Sequence, residues 1–235
     1  MVIGRNLINN RLLALACVAL VLLILAACDG SGGPATIGES VQDDCDATSV
    51  LENGACRAFA VLANERVPTP FMENGQSVSL EVVLFKPLFD GRYRTIVFHH
   101  GSTGNGSVPS RFGETFISKS IARYFVERGW MVAFPQRRGR GQSDGLYDEG
   151  FKLDRSGYSC ERNLALAGAA RALEDLDVIT DWLRNRADAD TTRLLVGGTS
   201  RGGILAIAHT AQRPDVYLAA INFVGGWIAE GCGDY

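Results

Sequence analysis

The run LLVGGTSRGG at residues 194–203 is apolar until it breaks into glycines around one serine, and ILAIAHTAQR, a helical pattern, follows at once. Few folds tolerate that junction. A buried strand must stop, turn and start a helix within a few residues. Glycines at 198 and 202 leave the backbone room to turn so sharply that Ser200 projects out of the core. A glycine-rich turn without chemistry would use the same letters, so the rest of the chain has to decide.

The rest of the chain repeats the strand-to-helix form. Residues 77–86, SVSLEVVLFK, alternate and then become continuously apolar, which predicts a strand closed by Pro87. A second strand, within YRTIVFHHG, opens on the glycine-rich STGNG, and residues 114–129 carry Phe116, Ile117, Ile121, Tyr124 and Phe125 at helical spacing before Gly129. WMVAFP is the next strand, followed by the loop QRRGRGQSDG and a helix over 161–186. Its apolar stripe is Leu166, Ala169, Leu173, Leu176, Ile179 and Leu183. RLLVGG, the helix after Ser200 and YLAAINFVGG complete the series. Such alternation predicts an α/β fold, a doubly wound, mostly parallel sheet with helices on both faces. Loops at the carboxyl ends of such strands converge on the ligand site, and here those loops are HHGSTGNG, RRGRGQSDG, GTSRGG and GGWIAEGCG.

Composition sets the limits. With 235 residues, 46% of them apolar, the chain can bury a real core. A net charge of −3 gives no general attraction to phosphate backbones, which argues against nucleic acid as a partner. Arg5 and Arg11 precede LLALACVALVLLIL, an apolar run shorter than the roughly 20 residues of a spanning helix, so it reads as an export signal. LAAC, ending at Cys28, resembles the lipobox of bacterial lipoproteins. The resemblance implies cleavage before Cys28, lipid on Cys28, and a membrane-anchored protein on the periplasmic or cell-surface side. The expected organisation is a signal at 1–27, a flexible tether with the Cys45/Cys56 region at 28–60, and a folded domain at 61–235. Cys45, Cys56, Cys160 and Cys232 are an even number for an oxidising compartment. Close spacing favours a local Cys45/Cys56 loop, leaving Cys160 for Cys232, although four cysteines allow three connectivities. No spacing suggests a metal site.

Three ordered signatures, HHG, RRGRGQSDG and GTSRGG, resemble the α/β-hydrolase superfamily over residues 77–231, nearest its dienelactone-hydrolase-like and prolyl-oligopeptidase-like members. The resemblance implies that Ser200 is a nucleophile forming an acyl-enzyme on a small ester or peptide, with no metal or organic cofactor. The oxyanion donors would be the Arg201 amide and an amide of Gly101 or Ser102, with His100 shaping that loop. Losing one such donor typically costs about 3 kcal/mol of transition-state stabilisation. In this family the catalytic acid and histidine follow later strands. Neither has a counterpart before Tyr235, so the expectation is the front portion of a hydrolase or, alternatively, an inactive surface lipoprotein that uses the scaffold for binding. His209 lies about 13 Å along the helix from Ser200 and on the opposite face. His99 is expected to be packed or capping, and Asp144 to tie its loop. Arg137 and Arg138 are candidates for a substrate carboxylate, with internal ion pairs as the competing use. Trp227 is a candidate wall of the acyl pocket, and a Cys160–Cys232 bridge would pin two walls of the cleft.

Overall fold

The computed structural model describes residues 45–228 and Cys232; the signal, Cys28 and the tether up to residue 44 lie outside the described residues. A short hairpin comes first, β1 (Ser49–Glu52) and β2 (Ala55–Ala58), closed by the Cys45–Cys56 disulfide. Val50 and Phe59 of this region are buried against the main sheet, so the segment just before residue 61 belongs to the folded body.

Six strands form that sheet: β3 (Val61–Glu73), β4 (Gln76–Lys86), β5 (Tyr93–His99), β6 (Trp130–Pro135), β7 (Ala189–Thr199) and β8 (Tyr217–Phe223). Their order across the sheet is β3-β4-β6-β5-β7-β8. β5 pairs in parallel with β6 and β7, and β7 with β8; β4 runs antiparallel to both β3 and β6. β3 carries no clean alternation and holds Pro68 and Pro70, a composition that suits an edge strand and hides it from a pattern search.

Helices cover both faces. The alternating strand pattern sends Val97, Met131, Leu194 and Val196 to one face, where α2 (Arg162–Arg184) and α3 (Arg201–Gln212) bury Ile179, Leu183 and Ala206. Ile96, Phe98, Val132 and Phe134 point to the other, beneath Ala122 and Val126 of α1 (Lys119–Val126). The periodicity predicts α1 from residue 114, yet it starts five residues later. The buried Gln136 amide captures both backbone groups of Phe116, each at 2.8 Å, and Ser118 caps the helix by accepting from the Ile121 amide. A side chain has taken the hydrogen bonds that another helical turn would have made.

Two disulfides form, Cys45–Cys56 and Cys160–Cys232, the connectivity that the spacing favours. Among the described residues no helix is long and apolar enough to cross a membrane, and no three potential ligand side chains gather as a metal site.

Candidate functional site

β7 ends at Thr199 and α3 begins at Arg201, so the whole turn is made at Ser200. Its backbone sits at φ 50°, ψ −122°, a region that side chains avoid and glycine tolerates. Neighbouring glycines make the turn sterically feasible. A Cβ on Gly202 would run into the carbonyl oxygens of His99 and His100, and one on Gly198 would strike the Gly202 backbone. Backbone bonds lock the turn: the Ser200 amide donates to Phe223 O at 3.0 Å, and Ser200 O accepts from Gly203 at 2.9 Å and Gly226 at 3.3 Å.

Ser200 is half-buried and opens into a cavity of ≈ 620 Å³ lined also by Ser102, Gly104, Asn105, Tyr158, Arg201, Gly226 and Ile228. The loop after β5 passes directly over it. A Cβ on Gly101 would come within 3.0 Å of the Ser200 Cβ and 3.7 Å of its Oγ. The Arg201 amide, at the amino end of α3, has no hydrogen-bond partner among the described residues, and neither do the Gly101 and Ser102 amides. The arrangement is a strained serine beside unspent amide donors, at the positive end of a helix dipole.

Sequence comparison bears on the same region, since residues 117–227 match the prolyl oligopeptidase family (Peptidase_S9). Over those residues, a little under half of the chain, the sequence is similar to that family. Among solved structures, the α/β hydrolase GrgF from Penicillium sp. sh18 is 18% identical with a TM-score of 0.50, covering 70% of this chain and 46% of that one. The acylaminoacyl peptidase of Pyrococcus horikoshii is 18% identical (TM-score 0.48, 72% and 24% covered). Acetyl xylan esterase 1 from Thermoanaerobacterium sp. JW/SL YS485 is 20% identical (TM-score 0.44, 65% and 50% covered). The chain thus spans half or less of these solved structures, and at such identities the likeness shows the fold alone. No curated protein sequence matches.

His100 is the residue expected from the sequence to shape the loop after β5. Its Nε2 lies 3.2 Å from the Arg137 amide, which can only donate, so the ring proton is on Nδ1 and donates to Gly101 O at 2.8 Å. Burial, followed by the nearby Arg137 charge, holds this imidazole well below the ordinary histidine range. With both nitrogens engaged, His100 shapes the loop and is not a base for Ser200. His99 is packed, not capping: the ring is buried on the opposite face of the sheet, neither nitrogen has a partner among the described residues, and burial lowers its pKa strongly.

Arg137 and Arg138 do not face substrate. Arg137 is 2% exposed; its Nε pairs with Glu149 at 2.5 Å and its Nη1 donates to His100 O at 3.1 Å. Arg138 is also buried, ion-paired with Asp175 and Glu174 at 2.7 Å each and laid over the Phe71 ring. A buried guanidinium needs an internal carboxylate, and here both have one. Asp144 ties its loop as expected, accepting from the Ser79 amide at 2.9 Å and pairing with Arg66.

Trp227 stacks on Arg201 with the guanidinium carbon 4.6 Å from the ring centre, and its Nε1 donates to Ala165 O at 2.8 Å. It lines a second, apolar cavity of ≈ 590 Å³ between α2 and α3, beside Leu166, Ile204 and Leu205; Ile228 borders both cavities. Cys160–Cys232 links the segment before α2 to the loop after β8. The sequence reading missed Tyr158, whose ring lines the Ser200 cavity. Its position two residues before Cys160 was the available signal.

Proposed function

We propose that this domain is a serine hydrolase in which Ser200 Oγ attacks the carbonyl carbon of an ester or peptide bond and forms an acyl-enzyme. Charge developing on the carbonyl oxygen is received by the Arg201 amide and by an amide of Gly101 or Ser102. The leaving alcohol or amine departs with a proton, and water later releases the acyl group. One observation carries the reading: Ser200 is held in a backbone conformation costing about 1–3 kcal/mol, and its side chain faces a cavity beside donors with no partner.

Proton transfer needs a base. None of the three histidines serves, since His99 is sealed, His100 is spent on its loop and His209 lies nine residues along α3. The reading therefore assigns the base to a group other than these three histidines. The sealed His99 ring and the engagement of both His100 nitrogens favour a second reading, a hydrolase scaffold used for binding only.

Labelling separates the two. The full chain, treated with a fluorophosphonate and mapped by mass spectrometry, is expected to carry the label on Ser200. A folded chain that stays unlabelled would leave the binding reading. We further propose that the protein is exported and anchored through lipid on Cys28, supported by the basic and apolar start, LAAC and the two disulfides. Metabolic labelling with palmitate, retained by the wild type and lost in Cys28→Ser, tests this; equal incorporation in both would refute it.

A further inference from the structure

Between the Gly101 loop and Arg201 lies a buried polar chain formed by Thr103, Tyr158, Tyr147 and Glu149. Its hydrogen bonds have only one consistent direction. The Thr103 amide can only donate, and it reaches the Tyr158 hydroxyl at 3.2 Å. The Glu149 carboxylate, ion-paired with Arg137, can only accept, and it takes the Tyr147 hydroxyl at 3.1 Å. Tyr158 must therefore donate to the Tyr147 oxygen at 2.7 Å, while the Thr103 hydroxyl, 3.2 Å away, donates to Tyr158.

This chain grips the loop at both ends. Arg137 holds His100, Tyr158 holds Thr103, and Gly101 and Ser102 lie between them. The Tyr158 ring also lies under Arg201, 3.6 Å from its guanidinium carbon, while Arg201 Nη1 donates to Glu149 O at 2.6 Å. One side chain thus bonds Thr103, next to Ser102 in the loop, and packs against the side chain of Arg201. Packing alone does not require the hydroxyl, because a phenylalanine ring would fill the cluster with Phe112 and Phe151 equally well.

We propose that Tyr158 is a positioning residue that sets the register between the Gly101–Ser102 amides and the Arg201 amide. Its hydroxyl fixes the first half and its ring the second. The inference rests on the serine-hydrolase reading, and its test keeps the two separable. Tyr158→Phe in the full chain retains the ring and removes only the hydroxyl.

Saturation kinetics of Ser200 phosphonylation should show the limiting rate falling roughly tenfold, the loss of about one hydrogen bond. The half-saturating reagent concentration should stay near wild type even though the thermal midpoint falls with the loss of a buried hydroxyl, and that split between limiting rate and half-saturation is what a merely structural role would not produce. Hydrogen–deuterium exchange supplies the second measurement, with residues 101–106 expected to exchange faster in Tyr158→Phe. Equal limiting rates, or unchanged exchange in that segment, would overturn the proposal. If neither protein is labelled, the hydrolase reading fails and the exchange result alone decides whether Tyr158 holds the loop.

Discussion

The two ends of α3 hold similar chemistry and very different surroundings. At the amino end stand Ser200, Arg201 and the Arg137–Glu149–Tyr158 cluster; at the carboxyl end, His209 lies between Asp177 and Tyr217. By residue type the carboxyl end looks more catalytic. Its His209 Nε2 donates to Asp177 at 3.0 Å, Nδ1 accepts from Tyr217 at 2.9 Å, and Thr180 donates to Tyr217 at 2.7 Å. Yet His209 is fully buried, the bonds form a closed set, and neither cavity described above reaches it. The amino end combines a strained backbone, free amides and a cavity. A histidine–carboxylate pair without these is a way to satisfy buried polar groups.

The largest effect should come from the amino-end turn. Gly202→Ala drives a methyl group into two backbone carbonyls that cannot yield, and should cost roughly 3 kcal/mol or more, read by denaturant unfolding. Gly226→Ala, with nothing within 4 Å of the added carbon, should be close to neutral. Equal costs would mean that the turn is looser than described.

Next comes the bridge at that end. Replacing Cys160 and Cys232 by serine opens a separation of 72 residues and should cost about 2–4 kcal/mol while slowing Ser200 labelling. Removing Cys45–Cys56, in the hairpin, should lower stability without changing the labelling rate. A labelling rate indifferent to both would separate the disulfide from the site.

His209→Gln sharpens the contrast from the other end. Loss of the paired imidazole should cost about 1–3 kcal/mol and leave Ser200 labelling unchanged. Burial, outweighing Asp177, lowers the folded-state pKa of His209 below its ordinary value of 6.5. The unfolded chain therefore binds the proton first, and this contribution to stability, present above pH 6.5, is lost as pH falls below it. Stability curves of wild type and variant should converge in slope above that pH and diverge below it. An altered labelling rate in His209→Gln would place the carboxyl end in the chemistry after all.

The smallest effect is a gain. Ser200→Gly relieves the φ 50° strain and should stabilise the protein by about 1 kcal/mol while abolishing labelling. A destabilised glycine variant would mean that the serine is comfortable where it stands.

Much of this was legible in the chain. Period-two and helical patterns located β4 to β8 and the three helices, because buried strands and amphipathic helices leave those signatures. The strand β3 was not legible, since Pro68 and Pro70 and the polar Glu65, Thr69 and Glu73 on its less exposed side hide the alternation in the letters, and α1 was read too long because Gln136 acts from 20 residues away. The turn at Ser200 was legible because it constrains the residues around it, whereas Gly101 and Arg201 were expected from the family resemblance. Tyr158, Thr103 and Glu149 could not be found, as their link is a network of distant partners. Arg137 and Arg138 misled as substrate candidates because pattern reading cannot see the Glu149 and Asp175 that neutralise them.

The most direct test is the crystal structure of a phosphonate adduct of the full chain. The account predicts phosphorus bonded to Ser200 Oγ, with one phosphoryl oxygen about 2.7–3.1 Å from the Arg201 amide and from an amide of Gly101 or Ser102. An adduct whose phosphoryl oxygen points to solvent, with those amides turned away, would contradict it.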